Sequence, residues 1–458
     1  MRETEETKFI AMNLDWINVL PQFIKQRLEG HHVLQKIISN MGWLSADYAI
    51  RAIVGLIVGV WVARYLGPEQ FGILSYAIAF VAIFSAIASM GLDSIVVRNI
   101  VRDSVLTGEI LGSTFALKLT GGVLAFILTT IAIFTLRSGD SLTCIVVSII
   151  AAGMIFQAFD TIDLWFQSQM KSKYTVYAKN IAFLLGSLGK VVLMSTGAHL
   201  MAFAGIILFE AVVGAVGLVA VYRIKGQFLS KWRVSLDRGF KLMSDSWPLI
   251  FIGLAIYIQA RIDQVMLGEI VGLDEVGQYS VAMNLIEVFG FIPMSIYISV
   301  APVVTEAKLR GEKEFYERLL NLYRLMFILF ILTAVPIFLF ANQIVAVFFG
   351  AKYSPAGTLL ALFSIRLFFT NFGVAKSLFI ANENLFRYSL VTAVIGTLVN
   401  VILNYALIPR YASIGAIWAT IASFAVTIFV VDIFYSKARK NLRTMLVAIA
   451  TPWRLKIA

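Results

Sequence analysis

Residues 51–89 read RAIVGLIVGVWVARYLGPEQFGILSYAIAFVAIFSAIAS. Two apolar runs, centred near Val54 and Ala79, flank a short turn around Leu66-Gly67-Pro68-Glu69. A helix needs about 20 mostly apolar residues to cross the hydrocarbon core of a bilayer. The stretch therefore predicts two membrane-spanning helices joined by a tight turn. Ten further runs follow, centred near Leu124, Ile150, Leu185, Ala211, Leu254, Gly290, Ile331, Leu367, Ile395 and Ala422. The fold class expected is an all-α polytopic membrane protein of about twelve transmembrane helices.

Composition agrees. Of 458 residues, 59% are hydrophobic and 14% charged, with a mean hydropathy of +0.85. Soluble domains carry about 25% charged residues. The one cysteine, Cys144, lies in an apolar run, so no intramolecular disulfide and no cysteine-based metal site is expected. Three histidines, His31, His32 and His199, are too few and too scattered for a zinc site. No metal-binding set and no catalytic set is assigned. Residues 1–42 mix charges and lack the continuous apolar core of a cleavable signal peptide. Within them, Leu14 to Leu28 is loosely amphipathic and suits the membrane interface.

The net charge of +11 raises nucleic acid as a partner, and its distribution speaks against it. The loops after spans 1, 3, 5, 7, 9 and 11 hold only Arg64, Arg137, Lys352 and Arg410. The other loops and both termini hold 27 Lys and Arg. Such a bias orients a membrane protein with its basic loops inside, so both termini are expected in the cytoplasm.

The chain also looks duplicated. Leu66-Gly67, Phe71-Gly72 and Ala77 near the first turn parallel Leu267-Gly268, Val276-Gly277 and Ala282. Parallel repeats of six helices are common in transporters and flank a central cavity. The expected divisions are a cytoplasmic segment 1–42, six-helix bundles 43–222 and 247–436, a basic linker 223–246 between them, and a tail 437–458.

Seven cations fall inside predicted spans: Arg51, Lys118, Lys179, Lys190, Arg261, Arg366 and Lys376. Each costs about 2.5–3.5 kcal/mol at a helix centre, so such residues face water or a partner. Lys179 and Lys376, near span ends, are expected to snorkel. Arg51, Lys118, Lys190, Arg261 and Arg366 lie deeper and form a candidate cationic cavity. The candidate acidic partners are fewer: Asp47, Glu210, Asp263 and Glu287. Pairing is expected to absorb two or three cations and leave an intramembrane excess. A cationic cavity suits an anionic substrate, and Arg suits phosphate through its planar pair of donors. The four acids are candidate sites for coupling to Na⁺ or H⁺. The amides Asn371, Asn400 and Asn404 are candidate sugar contacts or helix-to-helix glue. Trp165, Phe166 and Tyr174 are expected as interface anchors.

Several stretches together resemble the polysaccharide-transporter (Wzx-type flippase) family of the MOP exporter superfamily. These are Ala63-Arg64-Tyr65-Leu66-Gly67-Pro68-Glu69-Gln70-Phe71-Gly72, Gly91-Leu92-Asp93 with Arg98, and Asp163-Leu164-Trp165-Phe166-Gln167 with Lys173-Tyr174. Phe349-Gly350 with Tyr353 and Gly415-Ala416 with Ala419-Thr420 complete the ordered set, which runs from about residue 41 to 440. The resemblance implies two six-helix bundles around a central cavity. It also implies movement of a lipid-linked oligosaccharide, usually on undecaprenyl pyrophosphate, from the cytoplasmic to the outer leaflet by alternating access. Membrane lipids, a polysaccharide polymerase and glycosyltransferases are the partners it implies. No cofactor is expected beyond coupling to Na⁺, H⁺ or the membrane potential.

Two other classes compete. A cation-coupled small-molecule antiporter of the same superfamily would use the four acids as its ion sites. A membrane enzyme acting on an external glycan would need larger outer loops with polar catalytic groups, and those loops are only a few residues long.

Overall fold

A computed structural model describes residues 32–455, with side chains from Arg51 onward. The amphipathic stretch Leu14 to Leu28, and the side chain of Asp47, lie outside the described residues. Among the described residues every regular element is helical.

Among the described residues, ten helical segments are long and apolar enough to cross a membrane. Two of them, Arg51–Arg102 and Phe386–Phe434, run to 52 and 49 residues. At 1.5 Å per residue each would extend about 75 Å, more than twice the hydrocarbon thickness. Both are broken: helix His32–Ser89 at Gly67 (φ 75°, ψ 172°) and helix Phe386–Ala425 at Ala412 (φ 48°, ψ −132°). Each half is one crossing, which gives twelve. Gly67 tolerates a backbone that a Cβ would strain, and Pro68 then opens the next helix with its preset φ.

Spans 1 and 2 lie either side of Gly67. Span 3 is Thr107–Leu136. Span 4 is Ser141–Phe156, continued by Asp160–Ser168. Spans 5, 6 and 7 are Lys173–Ser195, Leu200–Ile224 and Leu236–Ile270. Span 8 is Leu273–Phe289 continued by Phe291–Arg310, span 9 is Glu312–Phe349, and span 10 is Ser354–Asn382. Spans 11 and 12 lie either side of Ala412, and a π-helical turn at Val426–Val430 leads span 12 into Val431–Phe434. A surface helix, Ser436–Ala450, follows.

The two halves meet where spans 2 and 8 cross. A Cβ on Gly72 would lie 1.7 Å from the Leu273 carbonyl oxygen, and one on Gly277 would lie 2.1 Å from that of Pro68. The contact is reciprocal, so each half presents the same feature to the other. It also fixes the repeat register. Gly67 corresponds to Gly272 (φ 142°), Pro68 to Leu273, Gly72 to Gly277 and Ala77 to Ala282. Gly268, paired with Gly67 on sequence, instead leaves room for the Tyr76 ring, which would stand 2.5 Å from a Cβ there.

Spans 2 and 7 stay close along their length, through Tyr76 and Gly268, Ala86 and Gly253, then Gly91 and Ser246. The repeat-related seam between spans 1 and 8 is closed beside Gly277. Met294 and Val303 on the continuation of span 8, and Ile53, Ile57 and Trp61 on span 1, are exposed.

The basic linker is bound to the first half. The Ser113 hydroxyl and the Ser235 backbone exchange hydrogen bonds of 3.1 Å, and Arg233 N donates to Gly108 O at 3.0 Å. Trp232 donates to Tyr222 Oη at 3.1 Å and joins a ring cluster with Trp165, Phe166 and Tyr174. Phe166 is fully buried. These aromatics therefore clamp the linker, which corrects their expected role as interface anchors.

A side chain at the crossing has nowhere to go. Gly277→Ala is expected to destabilise the fold by about 1–3 kcal/mol, in the range of overpacked cores. Gly59→Ala, where a Cβ meets nothing within 4 Å, serves as the control. Thermal unfolding in detergent should show a lower midpoint for the first variant only.

Candidate functional site

Ion pairing sorts the intramembrane cations into two groups. In the first group the contacts are short. Lys118, 2% exposed, holds Asp93 at 2.6 Å. Lys179 holds Asp160 at 2.9 Å and Asp163 at 2.7 Å. Lys376 Nζ meets Asp432 Oδ1 at 2.5 Å, while Tyr388 Oη donates to the same oxygen. Lys376 also donates to Thr427 O and Ile428 O, both at 3.0 Å. Those carbonyls belong to the π-helical turn of span 12, so the ammonium holds the irregular backbone that hydrocarbon would otherwise penalise.

This group overturns two expectations. Lys118 is sealed in a pair and does not line a cationic cavity. Lys376 is buried rather than snorkelling. The partners Asp93, Asp160, Asp163 and Asp432 remove most of the cation excess expected on sequence.

In the second group the contacts are long and the groups partly exposed. Lys190 and Glu210 stand 3.7 Å apart, with side chains 22% and 27% exposed. Gly186 makes the space, since a Cβ there would sit 2.7 Å from Glu210 Oε2. Arg51 lies within electrostatic reach of Glu210, its guanidinium 5.3 Å from the centre of the Phe183 ring. In the other half, Arg261 and Glu287 stand 3.6 Å apart. Arg366 lies over Phe424 at 5.5 Å and Phe363 at 6.0 Å, and its buried Nε has no hydrogen-bond acceptor. Counting 1.5 Å per residue from the turns at Gly67, Gly197, Gly272 and Gly350 puts these four cations about 10–24 Å into the membrane.

Asp263 is separate from both groups. It is buried and accepts from Tyr279 Oη at 2.8 Å, from Asn404 Nδ2 at 2.6 Å and from the Thr420 hydroxyl. Asn404 also donates to Asn400 Oδ1 at 3.2 Å, and Ala416 O, 3.1 Å from Thr420 Oγ1, is the alternative acceptor for that one hydroxyl proton. One carboxylate thus joins spans 7, 8, 11 and 12 and gathers five kinds of oxygen donor within a dry core. Asn400 and Asn404 are fully buried in this network. Asn371 is buried too and donates to Met326 O at 3.2 Å, binding span 10 to span 9. All three amides are helix glue, which corrects their candidacy as sugar contacts.

The ends of the two halves differ. At the short-loop end Arg137 donates from Nε to Glu269 Oε1 at 2.8 Å, from Nη1 to Asp140 at 3.3 Å and from Nη2 to Gly268 O. Tyr76 donates to Glu269 at 2.5 Å beneath the Arg137 guanidinium. Tyr353 donates to Ala63 O at 2.8 Å and Arg64 to Val347 O at 2.6 Å. Each of these contacts crosses from one half to the other, except that to Asp140. At the basic end, Arg98 and Asp245 stand 3.7 Å apart with both side chains exposed, beside a 440 Å³ cleft lined by Ser94, Ile95, Pro248 and Leu249.

Residues 37–308 match the family described as Polysaccharide biosynthesis protein, and residues 248–406 match the MatE family. The chain is 21% identical to the capsular polysaccharide biosynthesis protein CapF of Staphylococcus aureus, over 86% of this chain and 98% of that one. It is 22% identical to the "Probable low-salt glycan biosynthesis flippase Agl15" of Haloferax volcanii, over 80% and 76%. Its fold is that of an inward-facing MATE multidrug transporter of the MOP superfamily (TM-score 0.69, 18% identity, 87% and 96% covered). It is equally that of the lipid II flippase MurJ, inward closed (0.67, 14%, 89% and 91%).

A buried pair and a half-exposed pair respond differently to mutation. Asp432→Leu leaves Lys376 charged and unpaired and should cost about 3–5 kcal/mol, whereas the double variant Lys376→Met, Asp432→Leu should recover most of that. The thermal midpoints of the two variants in detergent, against the unsubstituted protein, check this.

Proposed function

We propose that this chain, which belongs to the polysaccharide biosynthesis protein family, flips an oligosaccharide carried on an isoprenoid pyrophosphate, with undecaprenyl as the expected lipid, from the cytoplasmic to the outer leaflet by alternating access. One observation carries the proposal: Arg51, Lys190, Arg261 and Arg366 are partly exposed at mid-membrane depth in facing halves, and the two ion pairs among them are long. A pair at 3.6–3.7 Å is beyond ordinary hydrogen-bond length, so an incoming phosphate oxygen competes with the carboxylate for the cation. The relatives named as glycan flippase and capsular polysaccharide protein supply the substrate class.

The path follows from the seams. With the basic face cytoplasmic, as its charge bias favours, the contacts of Arg137, Glu269, Tyr76, Tyr353 and Arg64 form an outer closure. The head group enters the site from the cytoplasmic end. The isoprenoid tail stays in lipid through a gap that opens between spans 1 and 8, while spans 2 and 7 remain joined. Parting the outer contacts then exposes the head group outside. Glycosyltransferases would supply the substrate and a polymerase would consume it.

Of the four acids considered for ion coupling, the geometry favours Asp263. Glu210 and Glu287 serve the cations, and the side chain of Asp47 is outside the described residues. Asp263, with Asn400, Asn404, Thr420 and Ala416 O, suits Na⁺ by its hard oxygen donors, and a proton by its burial. The same network and the MatE match favour a second reading, a cation-coupled antiporter of small molecules. Binding of organic cations to the purified protein, with no effect of lipid-linked glycan, would select it.

In proteoliposomes, neutralising Arg51, Lys190, Arg261 and Arg366 to Gln together is expected to lower glycan-lipid flipping by at least about tenfold, equal to 1.4 kcal/mol, with insertion unchanged. Normal flipping by that variant would overturn the proposal. Asp263→Asn is expected to leave some flipping but to abolish its response to an imposed Na⁺ or pH gradient, measured with and without the gradient. Arg137→Gln is expected to weaken the outer closure, seen as faster labelling from the outer side of Leu267→Cys, a buried position beside Gly268, in a Cys144→Ala background.

A further inference from the structure

The helix Ser436–Ala450 lies outside the twelve spans, and its placement has a specific cause. Span 12 ends at Tyr435, whose extended backbone (φ −109°, ψ 113°) turns the chain. Ala438, Asn441, Met445 and Ala448 then pack inward. Tyr323 donates to Asn441 Oδ1 at 3.0 Å, and Arg324 donates to Thr451 Oγ1 at 2.8 Å and to Arg454 O at 2.9 Å. Neighbouring residues of span 9 thus hold Asn441 and the C-cap Thr451, ten residues or about 15 Å apart. Lys440 meanwhile reaches Glu312 and Tyr316 at the start of span 9, so the helix lies obliquely across that end of the span.

Its depth can be counted. Arg324 is 26 residues before the turn at Gly350, about 39 Å from the short-loop end. A bilayer with headgroups is about 40–45 Å thick around a core of about 30 Å. The helix sits at headgroup level on the basic face. Its outward stripe is Arg439, Arg443, Leu446 and Ala450, at the spacing of one helix face, and Trp453 beyond it is 75% exposed. Residues 436–458 contain Lys437, Arg439, Lys440, Arg443, Arg454 and Lys456 and no acidic residue. Lys440 is engaged on the opposite side, with Glu312 at 2.8 Å.

We propose that Ser436–Ala450 is an interfacial helix that binds the anionic phospholipid headgroups of the basic-side leaflet. Arg439, Arg443 and Arg454 meet the lipid phosphates, and Leu446 and Trp453 enter the upper acyl layer. Mixed basic and apolar character on one exposed stripe suits this surface, because each basic residue near an anionic leaflet gains Coulomb attraction while the apolar groups leave water. The occupant is the leaflet itself, independent of the proposed glycan-lipid.

The test uses the full chain. Cys144 is the single cysteine and is buried, so Cys144→Ala with Leu446→Cys gives one site for an environment-sensitive fluorophore. The protein is reconstituted into vesicles of phosphatidylcholine alone or with phosphatidylglycerol. In the anionic vesicles, the label is expected to be quenched by lipids carrying a shallow nitroxide and to lose several-fold of its quenching by aqueous iodide. Neutralising Arg439, Arg443 and Arg454 to Gln should remove the difference between the two vesicle types. Iodide access equal in both types, or lipid quenching equal in both, overturns the proposal. A label at Ala450→Cys repeats the test if the first variant fails to reconstitute, and circular dichroism verifies that the labelled proteins are folded.

Discussion

A charge in hydrocarbon must be compensated close by, and that constraint sorts this molecule. The same residue type meets it in two ways. Lys118 and Lys376 are held by carboxylates at 2.6 and 2.5 Å and are nearly sealed from solvent. The buried ammonium of each pair is held at close range, and breaking the pair leaves an uncompensated buried charge. Lys190 and Arg261 have carboxylates a full ångström farther away and retain access to solvent. Their compensation is weaker, so a better anion gains more by replacing it. Distance to the carboxylate separates cations that hold the bundle from cations able to change partner.

The reciprocal crossing at Gly72 and Gly277 places these groups relative to one another. Only backbone-to-backbone approach brings the short-loop ends of the halves this near, and the cross-half hydrogen bonds of Arg137, Tyr353 and Arg64 depend on that nearness. Away from the crossing, spans 2 and 7 stay joined as far as Gly91 and Ser246. A substrate with a polar head and a long apolar tail needs one such seam fixed and its counterpart able to part.

Much of the architecture was legible because each span is a local property of about 20 residues. Turns such as Leu66-Gly67-Pro68 announced themselves, and the shared face of Asn400 and Asn404 followed from spacing alone. The site was less legible because its pairings are distant. Asp93 meets Lys118 across 25 residues, Asp432 meets Lys376 across 56, and Asp263 meets Asn404 across 141. Asp93 and Asp163 stood in the quoted motifs, but nothing in their spacing marked them as partners of buried lysines. Asp432 follows a π-helical turn that no periodicity announces. Counting only Asp47, Glu210, Asp263 and Glu287 therefore overstated the cation excess.

The corrected count alters the energetics of the proposed cycle. Arg51, Lys190 and Arg261 stand near the carboxylates of Glu210 and Glu287, and Arg366 lies within electrostatic reach of Tyr279, which donates to Asp263, so the unloaded site carries far less charge than five unpaired cations would. Moving it back across an inside-negative membrane is then only weakly field-driven, because the field acts on net charge at about 2.3 kcal/mol per charge per 100 mV over the full drop. A pyrophosphate head group makes the loaded site net negative, and the same field favours its outward step. The remaining asymmetry falls to Asp263. In the proposed cycle a cation bound there in one orientation and released in the other would change the net charge by one between the two half-cycles, in the half that carries both Arg261 and Arg366. Electrostatic coupling between Asp263 and Arg366 would thus let ion occupancy set how strongly the site holds its anion.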